Sequence, residues 1–276
     1  MTGTLGIIAG NGTLPIEIAE GAVGRGQGVF VVGIDAEADA AIARFPHARL
    51  DWGRFGNLFA LLERNGVHDV VFAGGVRRRP KLAPQHLDWE TVKAVPSLLT
   101  MLMSGDDTIL AGVAGLFERR GFRMVGVREA APDLLLTAGD AVGRLSARSR
   151  EQAELGARIV RALGPFDVGQ GVVVCGRRAV AVEGLEGTDA MLRRVEELRD
   201  TGRLADGVDG VLVKVPKPEQ DRRMDLPAIG PRTVINARAA GLRAVVGEGG
   251  GAVVLERERT FDLARRHRVA VHGLLA

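Results

Sequence analysis

The chain has 276 residues, 46% of them hydrophobic and 26% charged, with a formal charge of +3; that length suits about two domains. A single cysteine, Cys175, excludes an internal disulfide and any multi-cysteine zinc site. No run approaches the ~18 consecutive apolar residues of a membrane span, and residues 1–6 lack the basic region of a signal peptide, so a cytoplasmic protein is expected.

The basic residues are unevenly drawn. Lys81, Lys93, Lys214 and Lys217 are the four lysines, which leaves 33 of the 37 basic residues as arginine. The arginine excess reads as compositional bias and makes each lysine conspicuous. Aromatics at 4%, with no tyrosine, leave too few stacking platforms for nucleic acid, which is not expected as a partner. The basic runs Arg77-Arg78-Arg79 and Arg265-Arg266 suit a rim for phosphates or an anionic membrane surface better.

In chain order, 5–9 reads as a buried strand ending in Gly10-Asn11-Gly12. A helix follows, with Thr13 as N-cap, Pro15 in the first turn and Glu17 near the positive end. Strands are expected at 29–34 and 70–73, the latter ending in Gly74-Gly75. A helix is expected at 55–65, two more at 97–103 and 107–120, and a strand at 123–127. This alternation predicts a parallel sheet with helices on its faces.

The pattern loosens over 130–150, where the domain boundary is placed, giving domains 1–132 and 133–276. A helix at 151–163 precedes two strands, 171–175 and 179–182, whose separator Gly176-Arg177-Arg178 suits a hairpin. Then come a helix at 188–200, a strand at 208–213, a helix near 233–240, strands at 244–246 and 252–255, a helix at 259–267 and a strand at 269–272. The expected fold is α/β in two domains: an N-terminal Rossmann-like parallel sheet and a C-terminal mixed α/β domain, with the active site between them.

Several phosphate chemistries are excluded by residue pairs. There is no Gly-Lys dipeptide and hence no Walker A loop. The five histidines form no metal-ligand spacing and read as surface or capping residues, and Gly-x-Ser-x-Gly is absent. Gly10-Asn11-Gly12-Thr13-Leu14-Pro15 joins a strand to a helix, where unpaired amides suit an anion. The third glycine of the dinucleotide fingerprint is missing, however, and a tight turn explains the glycines equally. Asp35 ends the second strand where a ribose-binding acid would sit. Asp107 reads as the cap of a helix starting at Thr108.

Two later segments are denser in chemistry. Glu183-Gly184-Leu185-Glu186-Gly187-Thr188-Asp189 places three carboxylates and a hydroxyl in a glycine-rich turn before a helix. The block from Lys214 to Pro227 holds half of all the lysines, interleaved with acids and held by three prolines. Lys214, Lys217 and Arg223 would neutralise phosphate oxygens. Asp225, with Asp221 or Asp189, would hold a divalent cation or orient water. A solvated charged loop is the plainer alternative, but the prolines and the concentration of scarce lysine favour a functional role.

At these residues the chain resembles the LpxI-type UDP-2,3-diacylglucosamine pyrophosphatases of lipid A biosynthesis. The matching pieces are residues 6–15, Ala73-Gly74-Gly75-Val76, Gly105-Asp106-Asp107, Gly169-Gln170, residues 182–192 and residues 212–231. In the family pattern the last block begins Lys-x-x-Lys-Pro-Gly-Gln-Asp; here Glu219 replaces the glycine and Arg222-Arg223-Met224 fills a variable stretch. The resemblance implies metal-dependent cleavage of the substrate's pyrophosphate to UMP and the lipid 1-phosphate, with Mg²⁺ or Mn²⁺ as cofactor. It implies Asp225 and Lys214 as catalytic residues. Gly10, Asn11, Gly12, Leu14, Gly74, Gly75, Gln170, Thr188, Lys217 and Arg223 are the expected substrate contacts, and Asp225, Asp221 and Asp189 the metal candidates. A lipid-linked substrate further implies peripheral contact with the inner face of the inner membrane, and a homodimer is expected. The rival readings are an NAD-dependent oxidoreductase, on Gly10-Asn11-Gly12 and Asp35, and a non-catalytic nucleotide or lipid sensor.

Overall fold

The computed structural model describes residues 3–50, 55–76, 106–205, 207–218 and 220–275. The chain forms two compact units: Met1–Asp133 with Asp221–Asp225, and Leu134–Gln220 with Leu226–Ala276. Both are α/β. Among the described residues no helix is long and apolar enough to cross a membrane. The helix expected at 97–103, together with Arg77-Arg78-Arg79, Lys81, Lys93 and Gly105, lies outside the described residues.

In the first unit, strands β1 (Thr4–Ala9), β2 (Val29–Ile34), β3 (His47–Leu50), β4 (Val67–Ala73) and β5 (Arg123–Met124) form a sheet in the order β3-β2-β1-β4-β5. Every pairing is parallel. β2, Val-Phe-Val-Val-Gly-Ile, is buried along its whole length, as a strand covered on both faces must be. Among the described residues, helices α1 (Leu14–Gly24), α2 (Phe55–Arg64), α3 (Asp106–Arg119) and α4 (Val127–Ala130) accompany the sheet. The sheet grows outward in both directions from β1 and β4, so their carboxyl ends form its switch point, where ligands bind in such folds.

Three local expectations are corrected here. Thr13 does not cap α1 with its side chain; its hydroxyl donates to Glu17 Oε1 at 2.6 Å instead. Asp107 lies inside α3, which begins at Asp106. The strand expected at 123–127 is two residues long, because the chain turns at Gly126 into α4.

The second unit contains β6 (Gly139–Val142), α5 (Ala147–Leu163), β7 (Gly171–Cys175), β8 (Arg178–Val182), α6 (Gly187–Asp200), β9 (Gly210–Lys214) and β10 (Ala228–Ile229). It continues with α7 (Pro231–Ala239), β11 (Ala244–Glu248), β12 (Val253–Val254), α8 (Arg257–His267) and β13 (Ala270–Leu274). Six strands form one sheet in the order β6-β13-β11-β9-β7-β8, and β10 pairs with β12. β9, β11 and β13 run parallel, while β6, β7 and β8 join antiparallel.

Alternation along the central strands divides this core. Val172, Val174, Val211, Val213 and Val246 cluster with Ala153, Ala157 and Val160 of α5. Val173, Leu212 and Val245 cluster with residues of α6, α7 and α8. Ser146 caps α5, its side chain accepting the Ser149 N–H at 3.0 Å.

Gly156 of α5 marks the closest helix–sheet approach: a Cβ there would lie 2.6 Å from Val213 Cγ2. Replacing a mid-helix glycine by alanine normally gains about 1 kcal/mol, but overpacking a tight core costs about 1–3 kcal/mol. Val213 is β-branched and fully buried, so it has little room to yield, and the cost should win. Gly156→Ala is expected to lower the urea midpoint; a raised midpoint would contradict the packing.

Candidate active site

At the switch point of the first unit, two glycine turns are zipped together. The Asn11 N–H donates to Gly75 O at 2.8 Å and the Gly75 N–H to Asn11 O at 3.2 Å. Asn11 Nδ2 also donates to Gly75 O at 2.8 Å and to Glu37 Oε2 at 3.2 Å. A Cβ at Gly10 would stand 2.4 Å from Gly75 O, and one at Gly74, where φ is +84°, 2.3 Å from Asn11 O. Backbone approach therefore demands these two glycines whatever binds beside them. Gly12 differs: its φ is +93° and a Cβ there would meet nothing within 4 Å. Leu14 is half-buried where α1 begins, and no side chain caps that helix end.

Asp221–Asp225 form a short strap that belongs to this first unit. Met224 is buried in the core cluster that includes Phe59, Phe117 and Phe122, rings that pack with centroids 5.1 to 6.1 Å apart. Arg223 lies against Gly126, where a Cβ would come within 2.9 Å of the Arg223 Cα. Its guanidinium grips Asp221 through Nε to Oδ1 at 3.1 Å and Nη2 to Oδ2 at 2.8 Å, and reaches Glu118 Oε1 at 3.0 Å. The hydrogen bonds from Arg223 hold the Asp221 carboxyl below its ordinary value of 3.8. Asp225 follows directly and is exposed.

In the second unit, Lys214 closes β9 opposite Gly171 of β7. It is 8% exposed, and its Nζ donates to Thr188 Oγ1 at 2.7 Å and to Ala228 O at 3.2 Å. Thr188, in the first turn of α6, donates to Glu183 Oε1 at 2.7 Å. Backbone bonds fix Glu183 in turn: its N–H donates to Gly171 O at 2.8 Å, and the Gly169 N–H donates to Glu183 O at 3.1 Å. The Gln170 carbonyl accepts the Val215 N–H at 3.2 Å.

Nearby cations are differently engaged. Lys217 is buried and ion-paired with Asp167, whose backbone is left-handed at φ +51°. Its N–H donates to Gln220 Oε1 at 3.2 Å. Asp189 accepts from Asn236 Nδ2 at 2.9 Å and is ion-paired with Arg232. Lys217 and Arg223 thus have carboxylate partners, whereas Lys214 makes no ion pair among the described residues. Glu183 and Asp167 are the structural partners that sequence reasoning did not single out. Glu183 was within reach, since its motif was noted, but nothing in the sequence signals Asp167.

The carboxylates are hard oxygen donors of the kind Mg²⁺ or Mn²⁺ takes. Among the described residues, however, no three His, Cys, Asp or Glu side chains gather into a ready cage.

These observations define a two-domain α/β protein. Its first sheet is doubly wound with glycine turns at the switch point, and its second ends on a buried lysine. Residues 4–134 match the family model of the LpxI N-terminal domain, and residues 139–272 that of the LpxI C-terminal domain. The UDP-2,3-diacylglucosamine pyrophosphatase LpxI of Caulobacter vibrioides (strain ATCC 19089 / CIP 103742 / CB 15) is 40% identical over 263 residues, covering 94% of this chain and 93% of that protein. The chain belongs to the LpxI family, as the motif blocks led us to expect. Among solved structures, the holo form of the GalE-like L-threonine dehydrogenase from Cupriavidus necator aligns with 99% of this chain and 86% of its own. The two are 11% identical with a TM-score of 0.33, too weak a likeness to bear on the fold.

Exposed ion pairs contribute little, so burial of Met224 is what holds the strap. Met224→Ala is expected to cost about 2–5 kcal/mol in urea denaturation; an unchanged midpoint would show that the strap is not anchored there. Because the folded-state pKa of Asp221 is depressed, its contribution to stability is present above the ordinary carboxylate range and is lost as pH falls through the folded value. The stability gap between wild type and Asp221→Asn should therefore be widest near neutrality and close in acid. A gap that is constant with pH would contradict the pairing.

Proposed function

We propose that the chain hydrolyses the pyrophosphate bond of UDP-2,3-diacylglucosamine to UMP and 2,3-diacylglucosamine 1-phosphate; its Caulobacter relative is named a UDP-2,3-diacylglucosamine pyrophosphatase. The observation that carries this reading is 40% identity to that relative over nearly the full length, combined with a buried ammonium at the carboxyl end of β9. Anhydride hydrolysis needs negative charge neutralised and a water placed in line with the leaving oxygen. Water adds to one phosphorus, the bridging P–O bond breaks, and the proton lost by the water needs an acceptor.

In this reading Lys214 meets the phosphates and the Asp225 carboxylate accepts that proton or orients the water. Gly10, Asn11, Gly12 and Leu14, with Gly74 and Gly75, seat the nucleotide end at the switch point. The Gly10, Asn11 and Gly75 amides are bonded within the two turns and shape the seat, and the open start of α1 beside Gly12 and Leu14 faces the anion. Gln170, Thr188, Lys217 and Arg223 complete the proposed substrate contacts, the last two through side chains that already balance Asp167 and Asp221.

A divalent cation, Mg²⁺ or Mn²⁺, belongs to the same proposal and would supply further charge neutralisation. Magnesium is often held by one or two carboxylates with phosphate oxygens completing its shell. Asp225, exposed at the end of the strap, is the first candidate ligand, with Asp221 and Asp189 as the others. A lipid-linked substrate makes peripheral contact with the inner membrane surface part of the reading.

Chromatographic assay of UMP after incubation with UDP-diacylglucosamine and Mg²⁺ or Mn²⁺ tests it. Wild type should release UMP and lose that activity in excess EDTA. Binding without UMP release would make the chain a sensor, and full turnover in EDTA would remove the metal. Asp225→Ala should lower kcat by about 10²–10⁴ while binding persists; a folded variant within tenfold of wild type would refute the assignment.

A further inference from the structure

Glu183 carries an oxygen that the proposed hydrolysis does not use. Its Oε1 accepts from Thr188, but Oε2 is enclosed with no hydrogen-bond partner among the described residues. An acceptor buried in that state is costly, and two glycines pack closely against the residue. A Cβ at Gly171 would lie 2.4 Å from this same oxygen, and one at Gly169 2.7 Å from the Glu183 carbonyl oxygen. Two backbone bonds to the same glycines, Gly169 and Gly171, hold the Glu183 main chain in place.

Donor and acceptor rules then set the polarity of the chain of groups. An ammonium only donates and an ionised carboxylate only accepts. The single Thr188 hydroxyl proton, pointed at Glu183, leaves the oxygen's lone pairs facing Lys214. Lys214 in turn spends two of its three N–H bonds on Thr188 Oγ1 and Ala228 O.

We propose that Glu183 is a positioning residue: acting through Thr188, it fixes the Lys214 ammonium so that one N–H is left for an anionic oxygen of the substrate. Thr188 is on this account a bridge whose proton is already committed. The inference rests on the proposed hydrolysis only for what Lys214 acts upon. The geometry of the relay stands apart from it.

The test uses Glu183→Gln, Thr188→Val and Thr188→Ser in the full chain, each checked for folding by thermal melt. Nζ of ¹⁵N-lysine-labelled protein is read by NMR, which four lysines make tractable, with Lys214→Arg assigning the Lys214 signal. Wild type and Thr188→Ser should show a resolved, hydrogen-bonded Lys214 ammonium. Glu183→Gln and Thr188→Val should lose or broaden it. In the UMP assay those two variants should lower kcat about 10- to 100-fold with KM little changed. The double variant should fall no further than the worse single one, and Thr188→Ser should recover most of the kcat lost by Thr188→Val. An unaltered Lys214 signal in folded Glu183→Gln overturns the proposal, as does an unaltered kcat. If wild type releases no UMP, the hydrolytic reading fails, and the NMR arm alone still decides whether Glu183 fixes Lys214.

Discussion

A lysine ammonium withdrawn from water must be given oxygens to donate to, and much of the second unit around Lys214 satisfies that demand. β9 carries the lysine to the sheet edge, α6 brings a hydroxyl to 2.7 Å, and the start of β10 brings a carbonyl to 3.2 Å. The counter-charge is held one group away, at Glu183, with Thr188 between them. Direct contact with a carboxylate would neutralise the cation, as it does for Lys217 against Asp167. Interposing a hydroxyl keeps Lys214 oriented yet uncommitted to an anion. That distinction separates two lysines only three residues apart, both buried.

A second constraint is backbone proximity. The glycines that look like ligand loops are, in the main, places where two chains touch: Gly10 and Gly74 at the switch point, Gly169 and Gly171 against Glu183, and Gly126 against Arg223. Gly12, and likewise Gly187 at the start of α6, instead combines a left-handed φ with open space around it. The strap Asp221–Asp225 obeys the same logic. A small glycine surface receives its backbone, a methionine enters an aromatic core, and the arginine is tied at both sides. Asp225 is thereby attached to a fixed point one residue away, although it lies on an exposed turn.

Long apolar runs made most of the fold legible. β2 spans the residues expected for it, the hairpin β7–β8 has the expected Gly176 at its turn with φ +63°, and α2, α6 and α8 begin within two residues of their expected positions. β3 and β6 were missed for a physical reason. Three of the four residues in each are not buried, so they carry no hydrophobic signature and are held by pairing to a neighbour at the sheet edge. The start of α5 was missed because Ala147 to Arg150 is mostly polar; its signal was the Ser146 cap. At the site, the scarcity of lysine correctly marked Lys214. What sequence could not supply is partnership. Lys217 and Arg223 look as available as Lys214 until Asp167 and Glu118 are found beside them, and the five-residue return of the chain to the first unit leaves no trace in composition.

On the proposed hydrolysis, cleavage of the pyrophosphate depends on the Lys214 ammonium, which is hydrogen-bonded but makes no ion pair among the described residues. The most direct measurement is a single-turnover comparison of wild type with Lys214→Met, which keeps the stem and removes the charge, following UMP formed from UDP-diacylglucosamine at enzyme excess. The account predicts near-stoichiometric UMP from wild type and a rate at least about 10²-fold lower from folded Lys214→Met. UMP formed by Lys214→Met within tenfold of the wild-type rate would contradict it.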